Sequence, residues 1–314
     1  MASNNPGAVI QAVSAGAAAK VNKEFVLQKC EFFVDVQVWP FGKLHTDEWL
    51  NNFEPSELEH AVHLLNAFMY FSSPLVDQLF CAAFQELSRV VRKNGDSFLA
   101  VQGSWRSFVD SLIVTRVTGE NPSDADSGFQ FVRMARDLLL VPESRIVSPE
   151  DAISLLLKEP PRPVVFVDDF VGSGNQFITT WKRKTSVSGS EINFEMLAAS
   201  KRGVTFFYIP LVCTQRGLKN IQEHCQHVSV FAAHLLLERY SAIAPDSLLW
   251  PDHLRATAPS FILQASKRAG IPESKWTGFH DLALTLGFEH SIPDATLPIF
   301  YWKANGWRPL IDKP

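Results

Sequence analysis

The chain has 314 residues, 46% of them hydrophobic and 20% charged, so most of it carries enough apolar content to bury a core and is not disordered. Lysine and arginine number 29 against 33 aspartates and glutamates, a net charge of −4 that gives no support for wrapping nucleic acid or clinging to an anionic membrane by bulk electrostatics. No stretch approaches the roughly 18 continuous apolar residues of a membrane span. The four cysteines, Cys30, Cys81, Cys213 and Cys225, are scattered and form no C-x-x-C pair. In a chain of this length they read as reduced, mostly buried thiols of a cytoplasmic protein.

Residues 1–22 read as a flexible tail. The Ala-rich run Ala15–Ala19 is broken by Gly16 and lacks the basic flank of an export signal. Residues 23–95 read as a helical hood or subdomain. Ser56 and Glu59 have capping-box spacing ahead of Leu58, Val62, Leu65, Phe68 and Met69. Ser73 and Pro74 open a second periodic run, which stops at Lys93-Asn94-Gly95.

From residue 96 to 314 the texture changes to an α/β domain with an irregular C-terminal extension. Short apolar runs without a helical period appear at Phe98–Val101, Leu112–Val114, Val164–Val167, Val204–Val212 and Val228–Ala233. Such runs suit strands buried on both faces. Helical patterns lie between them at Gly128–Leu140, Pro149–Lys158, Gln176–Lys184 and Gly217–His224, while Lys184–Ser190 reads as a polar loop. The alternation predicts an α/β fold with a three-layer, mostly parallel sheet and an N-terminal helical subdomain.

The most informative run is Val164-Val165-Phe166-Val167-Asp168-Asp169-Phe170-Val171-Gly172-Ser173-Gly174-Asn175-Gln176. A strand of four apolar residues leads to two acids where it leaves the sheet, the edge at which open α/β sheets bind ligands. Gly172 and Gly174 allow the chain to curl and present several N–H groups to one point at a helix start near Asn175. Ser173 adds a hydroxyl. Such a cup suits a phosphate, and two carboxylates beside it suit vicinal hydroxyls or a hydrated Mg²⁺. Together these describe a ribose 5-phosphate bearing a further pyrophosphate. The bland alternative is a strand end with two solvated acids and a flexible turn. A Walker ATPase is disfavoured because the chain has no G-x-x-x-x-G-K-[ST] run. An aspartyl-nucleophile phosphatase is disfavoured because Phe170 stands where its second acid belongs.

Val164–Gln176 resembles the signature of type I phosphoribosyltransferases that binds phosphoribosyl pyrophosphate (PRPP). That resemblance implies that Asp168 and Asp169 bind ribose hydroxyls, directly or with Mg²⁺ through water, and that Gly172, Ser173, Gly174, Asn175 and Gln176 hold the 5-phosphate. The family loop usually ends in Thr or Ser; this one has Asn175-Gln176. A broader pattern spans residues 40–314. It takes in Trp49, Asn52-Phe53, Leu64-Leu65 and Tyr70-Phe71-Ser72, the acid loop, Pro293–Phe300 and Trp307–Leu310. This pattern is similar to the phosphoribosyltransferase-like proteins of bacterial conflict systems. It implies a role in antiphage defence beside partner proteins of a defence operon, either as a PRPP-dependent transferase or as an idle nucleotide-sensing or adaptor module.

Transfer from PRPP also needs donors for the leaving pyrophosphate. Arg116, Ser127, Gly128 and Arg133 lie around Val117–Asp126, which reads either as a flap over that side or as an ordinary surface loop. The nine histidines read as packing or capping residues rather than zinc ligands. Trp105-Arg106 and Trp302-Lys303 interleave aromatic and basic groups as single-strand binders do, although most aromatics in a globular chain are core.

Overall fold

The computed structural model describes residues 21–93, 95–119 and 128–313. Nine strands occur among them: β1 (Met69–Phe71), β2 (Ile113–Arg116), β3 (Pro163–Val171), β4 (Thr185–Val187), β5 (Ser190–Ile192), β6 (Thr205–Thr214), β7 (Val228–Val230), β8 (His234–Leu236) and β9 (Leu286–Phe288). The central sheet runs β2-β3-β6-β7, and β8 pairs with the far end of β6; every pairing in it is parallel.

The period of two along β3 sorts its side chains between two cores. Val165 and Val167 pack with helices Ser73–Glu86, Phe98–Ser111 and Gly128–Leu139 on one face. Val164 and Phe166 pack with helices Pro149–Lys158, Asn175–Lys182, Phe194–Ser200 and Gln215–His224 on the other. The result is the three-layer, mostly parallel α/β sheet that the alternating pattern predicts.

A third core joins the two ends of the chain. Trp49, Leu64 and Leu65 from the front meet Ile262, Ile299, Phe300 and Leu310 from the tail. The Trp49 and Trp307 indoles both donate to the Ile299 carbonyl, at 2.8 and 2.9 Å. Asn52 and the Arg308 backbone exchange hydrogen bonds, and β1 lies parallel to β9 with Tyr70 opposite Gly287. The front and tail motifs of the sequence pattern are therefore neighbours in space.

Several local expectations change. Phe98–Val101 is not a strand but the first turn of helix Phe98–Ser111, because Ser97 accepts a hydrogen bond from the Ala100 N–H and fixes a helix start. Ser56 does not cap: helix Leu58–Ala67 starts after Glu57, whose carboxylate is held by Arg268 at 2.6 Å. Met69 leaves that helix for β1. Ser73 is already helical, and its N–H and hydroxyl both donate to Glu289 at 2.8 Å. The Lys184–Ser190 region forms the β4–β5 hairpin. Of the terminal turn Lys93-Asn94-Gly95, Asn94 lies outside the described residues.

Trp49 is fully buried, with its ring 5.2 Å from that of Phe300 and 4.8 Å from that of Phe53. Trp49→Ala should therefore cost about 3–5 kcal/mol of stability in a urea melt. A loss below about 1 kcal/mol would show that the front contributes little to the shared core.

Candidate functional site

β3 is longer than its apolar run. It continues to Val171 because β6 pairs alongside it as far as Cys213. Asp168 and Asp169 thus lie inside the strand and are 5% and 7% exposed, where the sequence reading put them at its exit. Asp168 stands opposite Pro210, which brings no N–H to the ladder.

Each acid finds partners from a different part of the chain. Asp168 Oδ2 accepts from the Tyr208 hydroxyl at 2.8 Å, and Oδ1 accepts from the Asp169 N–H at 3.0 Å. Asp169 Oδ2 lies 3.1 Å from His290 Nε2 and accepts from Ser291 Oγ at 3.0 Å. Burial and the neighbouring Asp169 charge push Asp168 well above the usual carboxylate range, against the Tyr208 hydrogen bond. Burial would also raise Asp169, but its hydrogen bond and charge interaction with His290, helped by Ser291, hold it below its ordinary value. The two carboxyls are thus driven in opposite directions, Asp168 towards holding its proton and Asp169 towards losing it. Burial and Asp168 in turn push the Tyr208 phenol well up, so it remains a donor.

The glycine bend follows. Gly174 has φ +82°, and a Cβ there would come 2.9 Å from the Gly217 carbonyl. Helix Asn175–Lys182 begins at once, and its first N–H groups have no partner within the helix. Helix Gln215–His224 backs the bend. Thr214 Oγ1 donates to the Gly172 carbonyl at 2.5 Å and accepts from the Gly217 N–H at 2.9 Å, while Asn220 Nδ2 donates to the Ser173 carbonyl at 2.8 Å.

Acids and bend share one cavity of about 480 Å³. Asp168, Asp169 and Gly172–Gln176 line it, with Phe170 and Tyr208 beside them and Phe279, Leu282 and Ser291–Ala295 opposite. The other sequence-selected residues lie elsewhere. Arg116 ends β2 level with Val167, stacks on Phe129 at 3.6 Å, and has a buried Nε without a partner. Gly128 packs tightly against Arg116 Cβ and the Val117 carbonyl, and Arg133 is exposed. None of these three lines the cavity. Ser127 and residues 120–126 of the expected flap lie outside the described residues; Val117 and Thr118 are buried, and Thr118 is held by Thr180 and Arg183. Sequence reasoning missed Tyr208, His290 and Ser291. Tyr208 sits in an apolar strand run, and the other two come from the tail, so no local spacing marks them.

The acid pair offers hard oxygen ligands of the kind Mg²⁺ takes. Among the described residues no three His, Cys, Asp or Glu side chains form a metal cluster. Two carboxylates alone are too few to cage such an ion, which would have to keep waters or share ligand oxygens there. The same residues contain no helix long and apolar enough to cross a membrane.

Two substitutions check this geometry. A Cβ on Gly217 would lie 2.4 Å from the Gly172 carbonyl, so Gly217→Ala should cost about 1–3 kcal/mol in a thermal melt. A neutral change would mean the bend is not held against that helix. Because the folded pKa of Asp168 lies above its unfolded value, the contribution of this group to stability is full below about pH 4 and falls as pH rises towards the folded pKa. Asp168→Asn removes that dependence, so its stability relative to wild type should rise between pH 4 and 8 in urea melts. A flat or falling difference would show that Asp168 is ionised in the fold.

No curated protein matches the chain. Among solved structures, the AQ2163 protein from Aquifex aeolicus is similar over 54% of this chain and 88% of its own, at 14% identity and a TM-score of 0.29. The PRTase-CE family profile matches residues 46–313, which include front, acid strand, bend and tail. The chain belongs to the PRTase-CE family of phosphoribosyltransferase-like proteins.

Proposed function

We propose that the cavity binds PRPP or a related ribose phosphate and that the chain transfers its phosphoribosyl group. The observation that carries this reading is the shared cavity: two buried acids and a glycine bend opening a helix face one space of about 480 Å³. Asp168 and Asp169 would hold the ribose hydroxyls through their carboxyl oxygens. Gly172–Gln176 would hold the 5-phosphate through backbone N–H groups and the Ser173 hydroxyl. Anchoring the phosphate and hydroxyls spends binding energy away from C1 to position it. As the C1–O bond breaks, its electron pair leaves with pyrophosphate and C1 gains oxocarbenium character; an acceptor atom then bonds to C1 and releases its proton. Asp168 and Asp169 would hold Mg²⁺ through water or the ribose hydroxyls, and the ion would supply charge neutralisation for the phosphates. The helical front, residues 23–95, serves as a hood braced on the tail.

The biological setting we propose is bacterial antiphage defence, in the cytoplasm and beside partner proteins; sequence resemblance to the conflict-system proteins supports it. A second reading, nucleotide sensing without turnover, is favoured by one observation. Both acids are already hydrogen-bonded within the protein, to Tyr208, His290 and Ser291.

A thermal melt with PRPP and Mg²⁺ tests binding. At 100 times its dissociation constant the ligand should add about 2.7 kcal/mol. The combined Asp168→Asn and Asp169→Asn variant should fold and lose the response. No shift at millimolar PRPP, or an unchanged response in the variant, rejects the site. Pyrophosphate release over a panel of nucleobases, nucleotides and nucleic acids separates transferase from sensor, and a phage challenge of cells carrying the wild type or the double variant tests the setting.

A further inference from the structure

A second cavity, of about 650 Å³, adjoins the first. Phe279 and Asp294 line both. Its volume lies within the roughly 300–1,000 Å³ of small-molecule sites. Its remaining wall brings together Lys275, Lys303 and Lys313 with Tyr301 and Trp302. Three ammonium groups against two carboxylates, Asp294 in the wall and Asp312 behind Lys303, leave a local excess of one positive charge on a chain whose net charge is −4. Lys313 pairs with Asp294 at 3.2 Å and also lies 5.2 Å from the Tyr301 ring centre; Lys303 pairs with Asp312 at 2.7 Å. Lys275 has no ion pair among the described residues. The Trp302 indole N–H is buried without an acceptor among the described residues.

The partition between the cavities is strained. Gly278 has φ +72°, and His280, Asp281 and Ala283 have φ of 56°, 55° and 45°. Non-glycine residues rarely adopt these angles, and such runs persist where surrounding structure enforces them. Here the Phe279 N–H donates to the Asp294 carbonyl at 2.7 Å, and Arg216 donates to the His280 carbonyl at 2.9 Å. The strained run holds the Phe279 ring, 60% exposed, at the junction.

Lysines next to aromatic faces are the chemistry of a nucleotide: a base with π-faces and a phosphate that needs cations. We infer that the second cavity is a nucleotide site and, given the ribose-phosphate reading of its neighbour on which this role rests, that it holds the phosphoribosyl acceptor. The base stacks on Tyr301, Trp302 or Phe279, and the phosphate meets Lys275 and Lys303. The same chemistry is offered by a free mononucleotide and by the end of a nucleic-acid strand.

The test uses the full chain, with the first cavity filled by saturating ribose 5-phosphate and Mg²⁺, a ligand with no pyrophosphate to lose. AMP and a 5′-phosphorylated tetra-adenylate are then titrated by tryptophan fluorescence and calorimetry. At least one should bind beside ribose 5-phosphate without displacing it. The Lys275→Ala and Lys303→Ala double variant should bind it about tenfold more weakly while keeping wild-type melting and ribose 5-phosphate affinity. Tighter AMP binding identifies a free acceptor; tighter oligonucleotide binding identifies a strand end. Failure of both to bind at millimolar concentration, competition with ribose 5-phosphate, or wild-type affinity in the variant overturns the inference. If nucleotides bind and ribose 5-phosphate does not, the ribose-phosphate reading fails and the acceptor role with it.

Discussion

Two carboxyl groups on adjacent residues of an interior strand repel each other and resist burial, so the fold must bring partners to both. It does so from opposite sides of the sheet. Tyr208, from the neighbouring strand β6, donates to Asp168, and His290 with Ser291, from the tail, engage Asp169. The opposite shifts of the two groups, Asp168 up and Asp169 down, ease their repulsion. The long β3–β6 pairing, the docking of the tail and the shape of the cavity all answer to this requirement.

The glycine bend meets a related demand by steric means. Gly174 and Gly217 face one another so closely that a methyl group at either position would meet backbone, and Thr214 ties the two segments through one hydroxyl. The phosphate role proposed for this bend would require its peptide groups to be held still, since N–H dipoles that must reorganise give back much of what they contribute. Rigidity here comes from helix Gln215–His224, a segment without striking composition.

Much of this was legible in the sequence. Val164–Val167, a run of β-branched and aromatic residues ending in two acids, announces a buried strand, and Gly-Ser-Gly announces the turn into helix Asn175–Lys182. Helix Pro149–Lys158 has the expected limits because Ser148 caps it and Pro149 occupies its first turn. Phe98–Val101 misleads because four apolar residues fit a strand or a helix equally, and a single serine hydroxyl decides between them. Tyr208, His290 and Ser291 are out of reach for a different reason. Their roles depend on register between strands and on contacts 121 or 122 residues apart in sequence, which no local pattern encodes. The second cavity is likewise a product of folding: Lys275 and Lys303 become neighbours across a wall only after the tail has packed.

The position of His290 and Ser291 ties the cavity to the tail. β3 and β6 form the scaffold of the acid pair, whereas the groups that engage Asp169 belong to the segment that closes on Trp49 through Ile299 and Trp307. Loosening the tail would therefore leave the scaffold standing while opening one wall of the cavity and stripping Asp169 of its partners.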